Sequence, residues 1–141
     1  MKETPVATSQ AFFPGMRYVD APAAIGWLEK AFGFERQVVY PGPDGTIAHA
    51  QLIFNGGMIM LGSYKEDVFQ YKTPRQAGGV TQAVYVYVRD IDAHFARSEA
   101  AGAEIVVPLK ETDYGSREYS ARDLEGHLWH FGTYLPAIPE S

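Results

Sequence analysis

The sequence contains no cysteine. Disulfides, thiolate metal centres and a cysteine nucleophile are therefore excluded. Long hydrophobic runs are also missing: each apolar stretch breaks off well before the roughly 20 residues a helix needs to cross a bilayer. Basic residues are few, 12 Lys and Arg against 17 Asp and Glu, giving a formal net charge of -5. No cluster of them forms the basic stripe that a nucleic-acid backbone demands, so neither nucleic acid nor membrane is an expected partner. Met1 to Gln10 is polar, includes Pro5, and lacks the basic-then-apolar layout of a secretory signal. A cytoplasmic location is the default expectation. There is no Gly-rich phosphate loop in a strand-to-helix setting, and no serine in a nucleophile-elbow pattern.

Aromatic residues are plentiful: Tyr 9, Phe 8 and Trp 2, or 13% of 141 residues. Such content either builds a large core or lines a cavity with rings, and both readings stand at this point. The other proportions, 46% hydrophobic and 21% charged, are those of an ordinary globular domain long enough to bury a core.

Self-comparison reveals a repeat. At an offset of 69 residues, Tyr18-Val19 meets Tyr87-Val88, Ala24 meets Ala93, Ala31 meets Ala100, Gly33 meets Gly102, Glu35 meets Glu104 and Val38 meets Val107. At an offset of 70, Gly62-Ser63-Tyr64 meets Gly132-Thr133-Tyr134. The ordered matches point to two copies of one unit. The copies are set at residues 9–64 and 80–135, with a polar linker at 65–79 and tails at 1–8 and 136–141.

Within each copy a strand runs into Asp20 or Asp90, residue types that cap a helix by accepting backbone N–H bonds. Pro22 suits a first helical turn. Ile25, Leu28 and Phe32 follow at helical spacing, and Gly33 and Gly102 end the two helices. The remaining strands of the first copy are Gln37 to Tyr40, Ile47 to Phe54 and Met58 to Leu61, separated by turns at Pro41 to Gly45 and Asn55 to Gly57. In the second copy they are Ile105 to Val107, Arg117 to Arg122 and His127 to Thr133, the last two joined by a turn at Asp123 to Gly126. The fold class is α+β, with the order βαβββ read twice.

Strand alternation then assigns faces. Val84, Val86 and Val88 oppose Ala83, Tyr85 and Tyr87. Trp129 and Phe131 oppose Leu128 and His130. Leu52 and Phe54 oppose His49 and Gln51, and Ile59 and Leu61 oppose Met58 and Met60. One face is aliphatic or aromatic and belongs under the helices. The other mixes Tyr, His, Gln and Met, the chemistry of a pocket wall.

The stretch from Tyr18-Val19-Asp20-Ala21-Pro22 through Ala31-Phe32-Gly33-Phe34 resembles the first strand–helix segment of the glyoxalase/bleomycin-resistance/dioxygenase (vicinal oxygen chelate) superfamily. Tyr119 to Phe131 resembles its final hairpin, with Leu124 where that family's Asp-Pro-Asp/Glu-Gly turn carries proline. Together with the repeat, the likeness covers nearly the whole chain. It implies curled mixed sheets around a cavity with helices on the convex face, and homodimers, sometimes with exchanged modules. It also implies one divalent metal held near the ends of four strands.

Carried over residue by residue, the family's first ligand position falls on Phe13 (or Pro14), the second on Met60, the third on Ala83 with Gln82 beside it, and the fourth on His130. One imidazole among hydrocarbon and thioether is a poor match for a hard divalent ion, which takes about three or four protein donors. No metal and no cofactor are therefore expected.

Candidate ligand-binding residues are Phe13, Arg17, His49, Met60, Tyr85, Tyr87, Tyr119 and His130. Tyr119 is placed opposite His130 on the assumption of a four-residue turn. Arg17 is the available cation for a carboxylate or a ring. Each also has a plain role in strand packing or at the surface. His94 reads as a helix residue at the surface or edge of packing, and His127 as solvated. Asp113, Glu118, Asp123 and Glu125 read as solvated or turn carboxylates. The leading functional expectation is a non-catalytic, metal-free dimer that binds or sequesters a small apolar or aromatic molecule. The alternative is a metal-dependent lyase or dioxygenase with a displaced site built on His49, His130 and a glutamate.

Overall fold

The computed structural model describes residues 10–139. The tail expected at 1–8 and the last two residues of the tail at 136–141 lie outside the described residues. Within them the chain runs β1 (Gly15–Tyr18), α1 (Ala21–Phe32), β2 (Glu35–Pro41), a 3-10 turn (Pro43–Gly45), β3 (Ile47–Phe54), β4 (Gly57–Ser63) and α2 (Pro74–Ala77). It continues through β5 (Val84–Tyr87), α3 (Ile91–Ala100), β6 (Glu104–Glu111), β7 (Arg117–Arg122) and β8 (Leu128–Gly132). Two four-stranded sheets result, ordered β1-β4-β3-β2 and β5-β8-β7-β6. In each, the opening strand lies parallel to the last and the other pairings are antiparallel. These are the two βαβββ modules.

The helices start and stop as their residue types dictate. Asp20 accepts from the Ala23 N–H at 3.1 Å, and Asp90 from the Ala93 N–H at 3.2 Å. Gly33 ends α1 at φ 76°, a left-handed conformation that glycine adopts at little cost. The linker is more ordered than its composition suggests. Thr73 and Gln76 form a capping box that starts α2, and Thr73 is buried.

The strand register corrects the repeat alignment. Gly15 pairs with Met60 and Arg17 with Gly62. Tyr85 pairs with His130 and Tyr87 with Gly132. The opening strands therefore match at an offset of 70, which sets Arg17, not Tyr18, on Tyr87. The offset falls to 69 by Gly33 and Gly102 because α3 is shorter, 10 residues against 12 in α1.

The helix-bearing faces of both sheets share one core. Met16, Tyr18, Leu52, Ile59 and Leu61 come from the first sheet, and Tyr119, Ala121, Trp129 and Phe131 from the second. α1 packs against α3. Phe32 is fully buried, with its ring centroid 5.0 Å from Trp27, 5.6 Å from Trp129 and 4.7 Å from Phe131. Each large side chain buried in this way contributes about 1.5–3 kcal/mol. The two modules thus pair within the chain through their helical sides.

A polar staple reinforces that pairing: of the two readings for Asp123 and Glu125, solvated or turn carboxylates, they are turn residues and they are buried. Asp123 is 4% exposed and Glu125 8%. Asp123 Oδ2 accepts from the Tyr18 hydroxyl at 2.7 Å and from Trp129 Nε1 at 3.0 Å. Its Oδ1 accepts from the backbone N–H groups of Glu125 and His127. Glu125 accepts from the N–H groups of Val19 and Asp20, at 2.6 and 2.8 Å, just ahead of α1. His127 is half-buried rather than solvated. Its Nε2 donates to the Arg17 carbonyl at 3.0 Å, and its ring lies 4.7 Å from that of Tyr18. The cause is common to all three: the β7–β8 turn docks on the β1–α1 junction.

Candidate ligand-binding site

Strand register places Gly15, Arg17, Met60 and Gly62 together on the face of the first sheet away from the core. Gly15, Arg17, His49, Met60 and Gly62 line one open pocket of about 150 Å³, roofed by Tyr71. Three of the expected residues, Arg17, His49 and Met60, are thus brought together. His49 Nε2 donates to Gln51 Oε1 at 2.9 Å, and Gln51 Nε2 to Gln37 Oε1 at 2.6 Å. That chain leaves His49 Nδ1 as an acceptor. Tyr40 stacks against the same imidazole at 6.2 Å. Phe13 lies half-buried just ahead of β1.

Tyr71 was missed by the sequence reading because it sits in the linker. Its ring lies over the Arg17 guanidinium, 4.8 Å from Cζ to centroid, close enough for a cation–π contact. Phe69 and Tyr71, two aromatics in an otherwise polar segment, were the available signal. On the other side of Arg17, a pocket of about 380 Å³ opens between β1 and the linker, bordered by Lys72, Thr81, His127 and Leu128.

Tyr85, Tyr87 and His130 occupy the corresponding face of the second sheet. Tyr85 lies across from His130 in the parallel register, and its hydroxyl donates to the Tyr134 carbonyl at 2.5 Å. Burial, followed by the nearby Glu118 charge, pushes the Tyr85 phenol above its ordinary range. Tyr85 and Tyr87 also rim a third pocket, about 360 Å³, floored between the modules by Phe34, Leu52, Phe54 and Val86.

Tyr119 does not belong to this face. The β7–β8 turn closes with Asp123 N–H donating to the His127 carbonyl. It is therefore one residue longer than the expected Asp123-to-Gly126 turn, and every pairing moves by one. Phe131 stands opposite Tyr119, and Ser120 opposite His130. The Tyr119 phenol is 1% exposed, with its oxygen 2.6 Å from His94 Nδ1 and 2.8 Å from Ser98 Oγ. Burial raises its pKa to about 12. His94 Nε2 donates to the Phe32 carbonyl at 2.9 Å, which makes His94 a buried, satisfied core residue. Burial also lowers the pKa of His94.

The residues at the four family ligand positions do not fit a divalent ion. Phe13 and Ala83 offer no donor and Met60 offers a soft thioether. His130 Nδ1 is engaged with Ser120 Oγ at 2.7 Å. Among the described residues, no three of His, Asp and Glu are grouped so as to hold a metal.

A family model described as the Glyoxalase/Bleomycin resistance protein/Dioxygenase superfamily matches residues 12–131. The chain belongs to that superfamily. Within it, the crystal structure of TioX from a Micromonospora species is 41% identical, covers 90% of this chain and all of that one (100%), and superposes with a TM-score of 0.73. Uncharacterized proteins of Mycobacterium bovis and Mycobacterium tuberculosis are each 36% identical over 127 residues, spanning 86% of this chain and 82% and 73% of theirs. The fosfomycin resistance protein FosX from Listeria monocytogenes shares the fold at a TM-score of 0.62 with 12% identity, covering 90% of this chain and 93% of that one. No described helix is long and apolar enough to cross a membrane.

Proposed function

We propose that this superfamily member binds, and by binding sequesters, a small apolar or aromatic molecule without using a metal. Its ligand rests on the sheet faces that carry Arg17, His49 and Met60 in one module and Tyr85, Tyr87 and His130 in the other. The observation that carries this reading is the composition of those faces. Rings, a thioether and imidazoles stand half-exposed on the sides of the sheets away from the core, where a metal-using member would need carboxylate and further imidazole. Apolar bodies with a few polar tips are what a small-molecule site is made of. Such half-open faces gain most when covered, so the proposal includes a homodimer in which a second copy completes the site.

The test is a titration of intrinsic tyrosine and tryptophan fluorescence with a panel of aromatic compounds, antibiotics included. His130→Ala and Tyr85→Ala serve as controls, and sedimentation gives the assembly state. Saturable binding weakened by either substitution supports the proposal. No response up to high micromolar ligand overturns it.

A further inference from the structure

The two modules are copies, so each serves as a control for the other. The equivalence follows from strand register: Gly15 corresponds to Tyr85, Arg17 to Tyr87, Gly62 to Gly132 and Met60 to His130. Ala50 pairs with Leu61 as Tyr119 pairs with Phe131, so the preceding residues, His49 and Glu118, correspond as well.

In the second module the space above the paired glycine is filled by the chain itself. A Cβ added to Gly132 would stand 2.7 Å from the Tyr85 hydroxyl oxygen, 3.1 Å from Tyr85 Cε1 and 2.7 Å from Glu118 Cγ. The Tyr85 ring therefore lies over Gly132 beside a carboxylate. In the first module the residue that would supply this ring is Gly15, and a Cβ built there meets nothing within 4 Å. A Cβ on Gly62 itself would stand 3.1 Å from the Ala48 carbonyl oxygen, so the opening lies over Gly15 rather than directly over Gly62, and it is the pocket of about 150 Å³ described above. A cavity of about that volume accepts one benzene ring.

The polar border changes with it. Where the filled copy has Glu118, the open copy has His49. Where the filled copy has Tyr87, the open copy has Arg17. No Asp or Glu lines the open slot. Three arginines form ion pairs, Arg36 with Glu29, Arg117 with Asp92 and Glu111, and Arg122 with Glu104; Arg17 has no such pair among the described residues. Its guanidinium donates one bond, Nη1 to the Ser63 carbonyl at 3.3 Å, and carries the Tyr71 ring on its face. With five N–H donors, guanidinium retains the capacity to take a carboxylate.

Resting on the small-molecule reading above, we infer that the slot between Gly15, Gly62 and Tyr71 takes an aromatic ring bearing a carboxylate. The ring occupies the place that Tyr85 fills in the sister module. The carboxylate meets Arg17, which has no acidic partner among the described residues. His49 Nδ1 accepts from any hydroxyl or N–H on the same ring.

Calorimetric titration with benzoate and its neutral isostere benzamide tests the inference. The carboxylate is expected to bind about tenfold or more tightly than the amide, the usual range for a hydrogen bond to a charged group. Arg17→Gln is expected to erase that ratio while leaving amide binding in place. Gly15→Tyr, which copies the filled module, is expected to fold with a melting temperature within about 2 °C of the parent and to bind neither probe. Arg17→Gln decides the question alone if Gly15→Tyr melts early. Equal binding of the two probes, an unchanged ratio in Arg17→Gln, or binding retained in a folded Gly15→Tyr protein overturns the inference and leaves the broader reading standing. If neither probe binds, the inference fails; if the wider aromatic panel fails too, the broader reading falls with it.

Discussion

Asp123 accepts the phenolic hydrogen of Tyr18 across the boundary between the two modules, at 2.7 Å and with both side chains buried. The same carboxylate serves Trp129 and two backbone N–H groups. Removing it leaves the buried Tyr18 hydroxyl only the weak Met16 thioether acceptor, 3.8 Å away, and the buried indole N–H none, at about 1–3 kcal/mol each. Asp123→Ala is therefore expected to destabilise the chain by about 3–5 kcal/mol in urea unfolding. Tyr18→Phe loses one donor and leaves the carboxylate its other three, so about 1.5–3 kcal/mol is expected. Because both act on one bond, the double variant should cost less than the sum. Strict additivity would show that the contact does not couple the modules.

His94 supplies a pH dependence with a definite sign. Burial depresses its pKa below the ordinary 6.5, while the unfolded chain keeps that value. Between the two values the unfolded chain holds a proton that the folded chain refuses, so stability falls as pH drops below about 6.5. Above that point His94 contributes nothing to the slope. The loss is at most about 1.4 kcal/mol per pH unit and ends below the folded pKa. Urea midpoints measured from pH 7.5 downward should show this decline. Imidazole proton resonances should show His94 titrating below 6.5, and a His94 resonance titrating above 6.5 would contradict the assignment.

Much of this was legible in the sequence, and the failures have one physical origin. Alternation separated Trp129 and Phe131 from Leu128 and His130, and Asp20 and Asp90 announced their helices, because these are local rules of period and capping. Tyr119 was misplaced because a hairpin's register depends on turn length. One residue more between Asp123 and His127 moved a phenol from the outer face to the core. Asp123 and Glu125 sit in the turn as read, but turn carboxylates are usually exposed and nothing local signals their burial. Only the docking of that turn on β1 and α1, more than 100 positions earlier (|i−j| of 105 and 106), buries them. Tyr71 illustrates the same limit, since nothing local links a linker ring to the arginine of the first strand.

Phe32 tests whether the shared core makes the modules one cooperative unit. It is fully buried at the end of α1 and touches rings from the second module. Phe32→Ala should cost about 3–5 kcal/mol, the usual range for an aromatic truncated in a core. Trp27 and Trp129 report separately on the two modules once the other is replaced by Phe. Within each single-tryptophan variant, the fluorescence transition should coincide with the loss of far-UV ellipticity. Separated transitions would show that the Phe32 cluster does not bind the halves together.

The donor chemistry around His130 makes a last, quantitative expectation. A divalent ion held with a Kd near 1 µM and supplied at 1 mM would stabilise the folded chain by about 4 kcal/mol. For a chain of this size that raises the melting temperature by roughly 10 °C. Phe13, Met60 and Ala83 offer such an ion no hard donor, and Ser120 already engages His130 Nδ1 at 2.7 Å. Adding 1 mM Mn²⁺, Ni²⁺ or Zn²⁺ after treatment with a chelator is therefore expected to move the melting temperature by less than about 1 °C. His130→Ala should respond in the same way. A rise approaching 10 °C that disappears in His130→Ala would mean that donors from a second copy complete a metal centre, and the metal-free reading would have to be abandoned.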